Sequence, residues 1–197
     1  MPRLTLITAP AAEPVTVAEA ADHCRVGQGL EDAYLLALIT TAREIVERET
    51  RRALITQTWD AKWDGIPACW PLEIPKAPLI SVTHLKYLDT DGTEQTWSSA
   101  NYRVLANAGP CAQPGRVAIA YGVSLPASRA IEESFTVRFV AGYGAAGSAV
   151  PAPLKQAILL AVGDMYSHRE DVITGTISTP VALSISRLLA SYVVAGY

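Results

Sequence analysis

The sequence predicts an α+β fold in which a small α-helical bundle is split in sequence by a β-rich insertion of short antiparallel strands. Helical periodicity occurs at both ends of the 197-residue chain. Between the ends, the apolar residues alternate with a period of two and prolines interrupt the pattern. Neither outer part can bury its apolar stripes alone, so we expect the two to pack on each other. We therefore expect residues 1–54 and 149–197 to form the helical core, the latter including a C-terminal tail, and residues 55–148 to form the insertion.

The composition limits the classes of function. Half of the residues are hydrophobic and 18% are charged, which leaves apolar surface for contacts with neighbouring subunits. The formal net charge of -3 argues against a broad basic surface that binds nucleic acid. Cys24, Cys69 and Cys111 are far apart and form no CxxC motif, so neither a disulfide framework nor a zinc site is expected. With no apolar run near the roughly 20 residues of a membrane span and no convincing signal peptide, a soluble protein made in a cytoplasm is expected.

Two helices are predicted before residue 54. Thr16 and Glu19 have the spacing of a capping box, which predicts a short helix that ends at about Arg25. A second helix is predicted from one apolar stripe, formed by Leu35, Leu38, Ile39, Ala42, Ile45 and Val46. Its other face carries Arg43, Glu44, Glu47, Arg48 and Arg51. We interpret this charged cluster as a solvated helix face; the alternative hypothesis assigns Arg43, Glu47 and Arg51 to a contact between subunits.

Strand signals follow. Trp59, Ala61 and Trp63 alternate with polar residues, which indicates a half-buried strand. Asp91-Gly92 predicts a hairpin turn between strands at 80–88 and 94–97. Further strands are predicted at 102–105, 117–120 and 135–139.

Helical periodicity returns after Pro151-Ala152-Pro153. The third helix is predicted from the stripe Leu154, Ala157, Ile158, Ala161 and Met165. A final helix contains Leu183, Leu188 and Leu189, and an apolar tail follows it to Tyr197. We expect this tail to be exposed and available to a partner.

One motif resembles a nucleotide-binding loop. Gly142, Gly144 and Gly147 match GxGxxG after a predicted strand. In a dinucleotide site, however, the helix begins within the motif, whereas here residues 148–153 intervene and include two prolines. A nucleotide-binding enzyme therefore stays an alternative function only. The sequence contains no GxSxG, HExxH or GxxxxGK[ST] motif, and no histidine lies at metal-ligand spacing. We predict no enzyme activity and assign no catalytic, cofactor-binding or metal-binding residue.

Five stretches, taken in order, resemble the head–tail connector (adaptor) proteins of long-tailed phages and gene transfer agents. They are PVTVAEA at 14–20, RALITQTW at 52–59, VAGYG at 140–144, VPAPLKQAIL at 150–159 and YSHRE at 166–170. The resemblance extends from about Ala11 to Tyr192. It accounts for the GxGxxG match as a family feature unrelated to nucleotides.

The resemblance implies a structural role at the head–tail junction of a virion or particle, made in the bacterial host cytoplasm. Such proteins form a ring, usually of twelve copies, beneath the portal protein. The ring extends the channel through which DNA passes without sequence-specific binding, and it supports a stopper, head-completion or tail protein. The β-rich insertion would lie toward the outside of the ring. No cofactor and no membrane are implied, and another structural component of a phage tail is the second alternative.

In this family the C-terminal segment commonly reaches the portal. The portal-binding residues implied here are Leu188, Leu189, Tyr192, Val193, Val194 and Tyr197. We expect that deletion of 188–197 leaves a folded protein that does not join the portal.

Overall fold

The computed structural model describes residues 2–27, 29–168 and 181–194. The elements are β1 (Arg3–Thr8), α1 (Val17–Cys24), α2 (Asp32–Thr50), β2 (Gln57–Trp63), β3 (Leu72–Glu73), β4 (Leu79–Leu88), β5 (Glu94–Trp97), β6 (Tyr102–Leu105), β7 (Arg116–Ile119), β8 (Phe135–Ala141), α3 (Ala152–Ser167) and α4 (Val181–Leu189). Most strands lie between α2 and α3, so the predicted α+β class is confirmed.

The four helices form one hydrophobic core. The Thr16 hydroxyl accepts from the Glu19 amide and the Glu19 carboxylate accepts from the Thr16 amide, which is the predicted capping box at the start of α1. Buried side chains from both ends of the chain meet in this core, among them Leu35, Ile39, Val46, Leu154, Ile158 and Leu189. The helices of each end thus cover the apolar stripes of the other.

A five-stranded antiparallel sheet has the order β1-β2-β8-β4-β5. On β8, Phe135, Val137 and Phe139 are fully buried, while Thr136 and Arg138 alternate with them and are half-buried. The buried face packs against a second sheet of order β3-β7-β6, which contributes Val117 to the same core. The opposite face of the larger sheet is polar. There Arg138 on β8 forms two hydrogen bonds of 2.8 Å with Asp60 on β2.

The N-terminal strand β1 is the main element that the sequence analysis did not predict. It pairs with β2 and places Leu6 opposite Trp59 and Leu4 opposite Ala61. Part of the segment expected in the helical core therefore forms an edge of the sheet. Leu6 and Ile7 are more than 40% exposed, so β1 lacks the buried alternation that marks an inner strand.

Candidate assembly surfaces

The charged cluster of α2 is divided between a buried and an exposed part. Arg43 and Glu47 are each only 6% exposed, so the expected solvated face is wrong for these two residues. Arg43 Nη1 donates to Glu47 at 3.0 Å and Arg43 Nε donates to Glu13 at 2.8 Å. Because the Arg43 guanidinium is paired with two carboxylates, Arg43 and Glu47 can be buried. Glu44, Arg48 and Arg51 are exposed, as the original interpretation requires.

Glu47 also connects the helical core to the sheet. Its Oε1 accepts from the Leu54 amide at 2.8 Å and from Gln57 Nε2 at 2.7 Å. Burial raises the pKa of the Glu47 carboxyl, although these donors and the Arg43 guanidinium oppose the shift. The carboxylate therefore organises the turn between α2 and β2. The prediction that Arg43 and Glu47 contact a neighbouring subunit is untested; their burial leaves Arg51 as the accessible member of that set.

A groove of about 570 Å³ lies between β1 and the C-terminal half of α2. Its apolar lining includes Leu4, Leu6, Pro10 and Trp59. Its charged lining residues are Arg43, Glu44, Glu47, Arg48, Arg51 and Lys76. The Lys76 ammonium lies 5.1 Å from the centre of a Trp59 ring, a cation–π contact. Burial also lowers the pKa of the Lys76 side chain. The groove thus combines an apolar floor with a charged rim, on which the exposed Arg48 and Arg51 outnumber the exposed Glu44.

The C-terminal segment packs on the chain itself. Tyr192 and Val194 are 8% and 4% exposed, so the expectation of an exposed tail is wrong for these two residues, and Leu189 at the end of α4 is buried as well, at 3%. Burial of their apolar surface against the helical core accounts for this position. Val193 is 48% exposed and Leu188 is half-buried. Tyr197 lies outside the described residues, and portal binding by the whole set stays a prediction.

Arg52 fixes this segment and was missed in the sequence analysis. The side chain is completely buried; its Nε donates to the Tyr192 carbonyl at 2.6 Å and its Nη1 to the Ala112 carbonyl at 2.8 Å. The Val194 amide donates to the Thr50 carbonyl at 3.1 Å. The sequence places two adjacent arginines, Arg51 and Arg52, directly before the apolar run Ala53-Leu54-Ile55, and the structure buries the second of them. An arginine in such a position is buried when carbonyl oxygens accept its donors.

The glycine motif has a packing role. A Cβ atom on Gly142, whose φ is +141°, would lie 2.6 Å from the Ile55 carbonyl oxygen, and one on Gly147 would lie 2.5 Å from the Pro14 carbonyl oxygen. The Gly142 amide donates to Pro78 and the Tyr143 amide donates to Leu54. These amides are therefore used within the chain. A single 3₁₀ turn, Gly147–Ala149, begins at the last glycine of the motif, and the α-helix that follows, α3, begins only at Ala152. The motif therefore does not open an α-helix as a dinucleotide-binding loop does.

Tyr143, within the glycine motif, connects the segment between β8 and α3 to the loop between β6 and β7. Its hydroxyl donates to the Pro110 carbonyl at 2.5 Å. Burial raises the pKa of Tyr143 to about 12. The phenol therefore stays protonated over the physiological range and serves as a donor.

The described part of the chain contains no cluster of three or more His, Cys, Asp or Glu side chains that is suited to a metal ion. Among the same residues, no helix has the length and apolar character needed to cross a membrane.

Comparisons with known proteins agree with this architecture. No protein-family model matches the sequence, and no similar sequence is found among curated proteins. Solved structures do match. A chain from the neck of an empty gene transfer agent (GTA) particle, computed with C6 symmetry, has a TM-score of 0.77 and 26% identity, with 99% of this chain and 97% of that chain covered.

Two further structures give the same result at 26% identity. A chain from the neck of a native GTA particle, computed with C12 symmetry, matches with a TM-score of 0.73 over 99% of this chain and 97% of that one. A chain from the virion of a native GTA particle matches with a TM-score of 0.75 over 98% and 96%. The expected location at a head–tail junction agrees with these neck structures. Similarity along nearly the whole chain confirms the family resemblance, and the chain is a structural relative of the head–tail connector proteins of phages and gene transfer agents.

Proposed function

We propose that the protein is a structural head–tail adaptor that forms a ring, with twelve copies, between the portal and the stopper or tail. The observation that carries this proposal is the full-length match to a neck protein in a particle computed with C12 symmetry. The ring extends the channel for DNA, which passes without sequence-specific contacts. The formal net charge of -3 supports a surface to which DNA does not adhere.

Ring formation requires two different, complementary faces on each subunit, because a head-to-tail contact closes only when both are present. The described surface offers large apolar side chains outside the two cores. Leu30 is 78% exposed and Tyr121 is completely exposed. Contacts between identical subunits would bury such side chains.

The portal contact is proposed at the exposed side of the C-terminal segment. Val193 presents its side chain to solvent, while Tyr192 and Val194 on either side are buried. The buried residues hold the segment on the helical core, so they position Val193 for a partner.

The proposal also holds that the chain is not a nucleotide-binding enzyme. This is supported by the Gly142 and Tyr143 amides, which donate hydrogen bonds to carbonyl groups of the same chain.

Removal of the gene from the particle-producing cells tests the role. We expect DNA-filled heads without attached tails, and restoration of complete particles when the full chain is supplied. A gold-binding tag inserted at the exposed Asp91-Gly92 turn should label a collar at one vertex of each head. Label along the tail would indicate another structural component, and complete particles without the chain would overturn the adaptor role.

A further inference from the structure

The groove beside β1 has the chemistry of a protein-binding site. We propose that it binds the turn between α1 and α2 of a second copy, with Leu30 of that copy in the apolar part and Asp32 against the Arg48 and Arg51 side chains of the rim. The inference rests on the proposed ring and specifies one contact between its subunits.

The rim of the groove carries available positive charge. Arg48 has a side chain that is 74% exposed, and its Nε lies 3.9 Å from a Glu49 carboxylate oxygen, which is a long ion pair. Arg51 caps the C-terminus of α2 in a left-handed conformation, is exposed and belongs to the groove lining. Below this rim lie Leu6 and Trp59, which are adjacent across the β1–β2 pair. A partner segment that carries an apolar side chain next to a carboxylate would fit both the apolar floor of the groove and the arginines of its rim.

The α1–α2 turn presents that combination. Leu30 is 78% exposed, which makes it one of the most exposed large apolar side chains in the described part of the chain. Asp32, two residues later, is exposed at the first residue of α2. One of its carboxylate oxygens accepts from the Gly29 amide at 3.0 Å, which fixes the turn. The Asp32 side chain is exposed, so a guanidinium of a second copy can approach it.

The two sites lie at opposite ends of one rigid element. Helix α2 has 19 residues and is therefore about 28 Å long at 1.5 Å per residue. Leu30 precedes its start, whereas Arg48 and Arg51 are at its end, so a chain cannot fill its own groove. The contact joins one end of α2 to the opposite end in the next copy. This is a head-to-tail contact, which generates a ring when the rotation between copies closes.

Disulfide trapping tests the contact. In the full chain with Cys24→Ala, Cys69→Ser and Cys111→Ser, we introduce Leu30→Cys together with Leu6→Cys. Mild oxidation at about 1 mM protein should yield a ladder of covalent oligomers, because each copy offers both ends. Each single variant should yield monomers only. Circular dichroism and thermal unfolding confirm that the variants are folded.

Charge reversal provides the second measurement. Arg48→Glu with Arg51→Glu should weaken self-association in sedimentation experiments by roughly tenfold, and Asp32→Arg added to the same chain should restore it. Glu49→Gln is the matched control on the same helix and should have little effect.

Specific outcomes would overturn the contact. Dimers from Leu30→Cys alone or from Leu6→Cys alone would show a two-fold interface in place of a head-to-tail one. Self-association without the mixed ladder would exclude this groove while leaving the proposed ring intact. A chain that stays monomeric at about 1 mM would also overturn the groove inference, whereas the adaptor role is decided separately by particles that lack the gene.

Discussion

The Arg52 guanidinium donates a 2.6 Å hydrogen bond to the Tyr192 carbonyl oxygen, across 140 positions of sequence. Both residues are buried, and the same guanidinium also reaches Ala112 in the loop between β6 and β7. One side chain thus joins the end of α2, the smaller sheet and the C-terminal segment. The C-terminal segment is therefore part of the folded body, and its loss is expected to affect stability as well as assembly.

Replacement of Arg52 tests this junction. Arg52→Met leaves two buried carbonyl groups without their donors, so we expect the free energy of unfolding to fall by about 2–4 kcal/mol. Urea denaturation followed by tryptophan fluorescence measures the change. Arg51→Met is the matched control, because Arg51 is adjacent but exposed, and it should change stability by less than about 0.5 kcal/mol. Equal effects at the two positions would contradict the proposed junction.

The C-terminal segment offers a second pair of matched positions. Tyr192→Ala removes a buried aromatic side chain and should reduce the free energy of unfolding by about 3 kcal/mol. Val193→Ala should alter it by less than about 0.5 kcal/mol, since Val193 is 48% exposed. Thermal unfolding of both variants gives the comparison.

A charged variant of Val193 distinguishes an effect on assembly from an effect on stability. Val193→Asp should leave the chain folded but reduce its incorporation into particles, because the charge would be buried in the portal contact. Immunoblots of purified particles measure incorporation. Normal incorporation would show that this side chain does not contact the portal.

Gly142 is predicted to be intolerant of any side chain. Gly142→Ala places a Cβ atom 2.6 Å from the Ile55 carbonyl oxygen at a φ of +141°. The backbone strain costs about 1–2 kcal/mol, and the close contact adds about 1–3 kcal/mol. Gly109→Ala is the control, because its φ is +114° but no atom lies within 4 Å of the added Cβ. Retained stability in Gly142→Ala would argue against the close backbone approach.

The Asp60–Arg138 pair predicts a pH dependence. Hydrogen bonds from Arg138 lower the pKa of the Asp60 carboxyl below its ordinary value of 3.8. The pair therefore stabilises the fold fully above that value, and its contribution is lost as the pH falls through the pKa of the folded state. Asp60→Asn should destabilise the protein by about 1 kcal/mol at pH 7. The difference from wild type should shrink as the pH is lowered below 3.8, where Asp91→Asn, at an exposed turn, serves as the control.

The predictable parts of the fold are those with a local signal. The capping box of Thr16 and Glu19 specified the start of α1, and the alternation at Phe135, Val137 and Phe139 specified β8. The order β1-β2-β8-β4-β5 was not predictable, because it pairs strands that are distant in sequence. A period of two tells which face of a strand is buried but not which strand lies beside it.

The candidate surfaces were predictable only in part, for a related reason. Arg43 and Glu47 were read as surface charges because their partners, Glu13 and the turn at Leu54, come from other elements. Exposed tail residues were inferred from apolar composition, which does not distinguish a partner-binding segment from one that packs on its own chain. The structure separates the two cases, because the buried Arg52 guanidinium needs acceptors and the C-terminal segment supplies one of them at the Tyr192 carbonyl.

A cryo-electron microscopy reconstruction of the particle neck, computed without imposed symmetry, tests the adaptor role most directly. The account predicts twelve copies of this fold in a closed ring directly beneath the portal, with the α1–α2 turn of each copy in the groove of the next. Density for this chain elsewhere in the particle, or as isolated copies that do not contact one another, would contradict it.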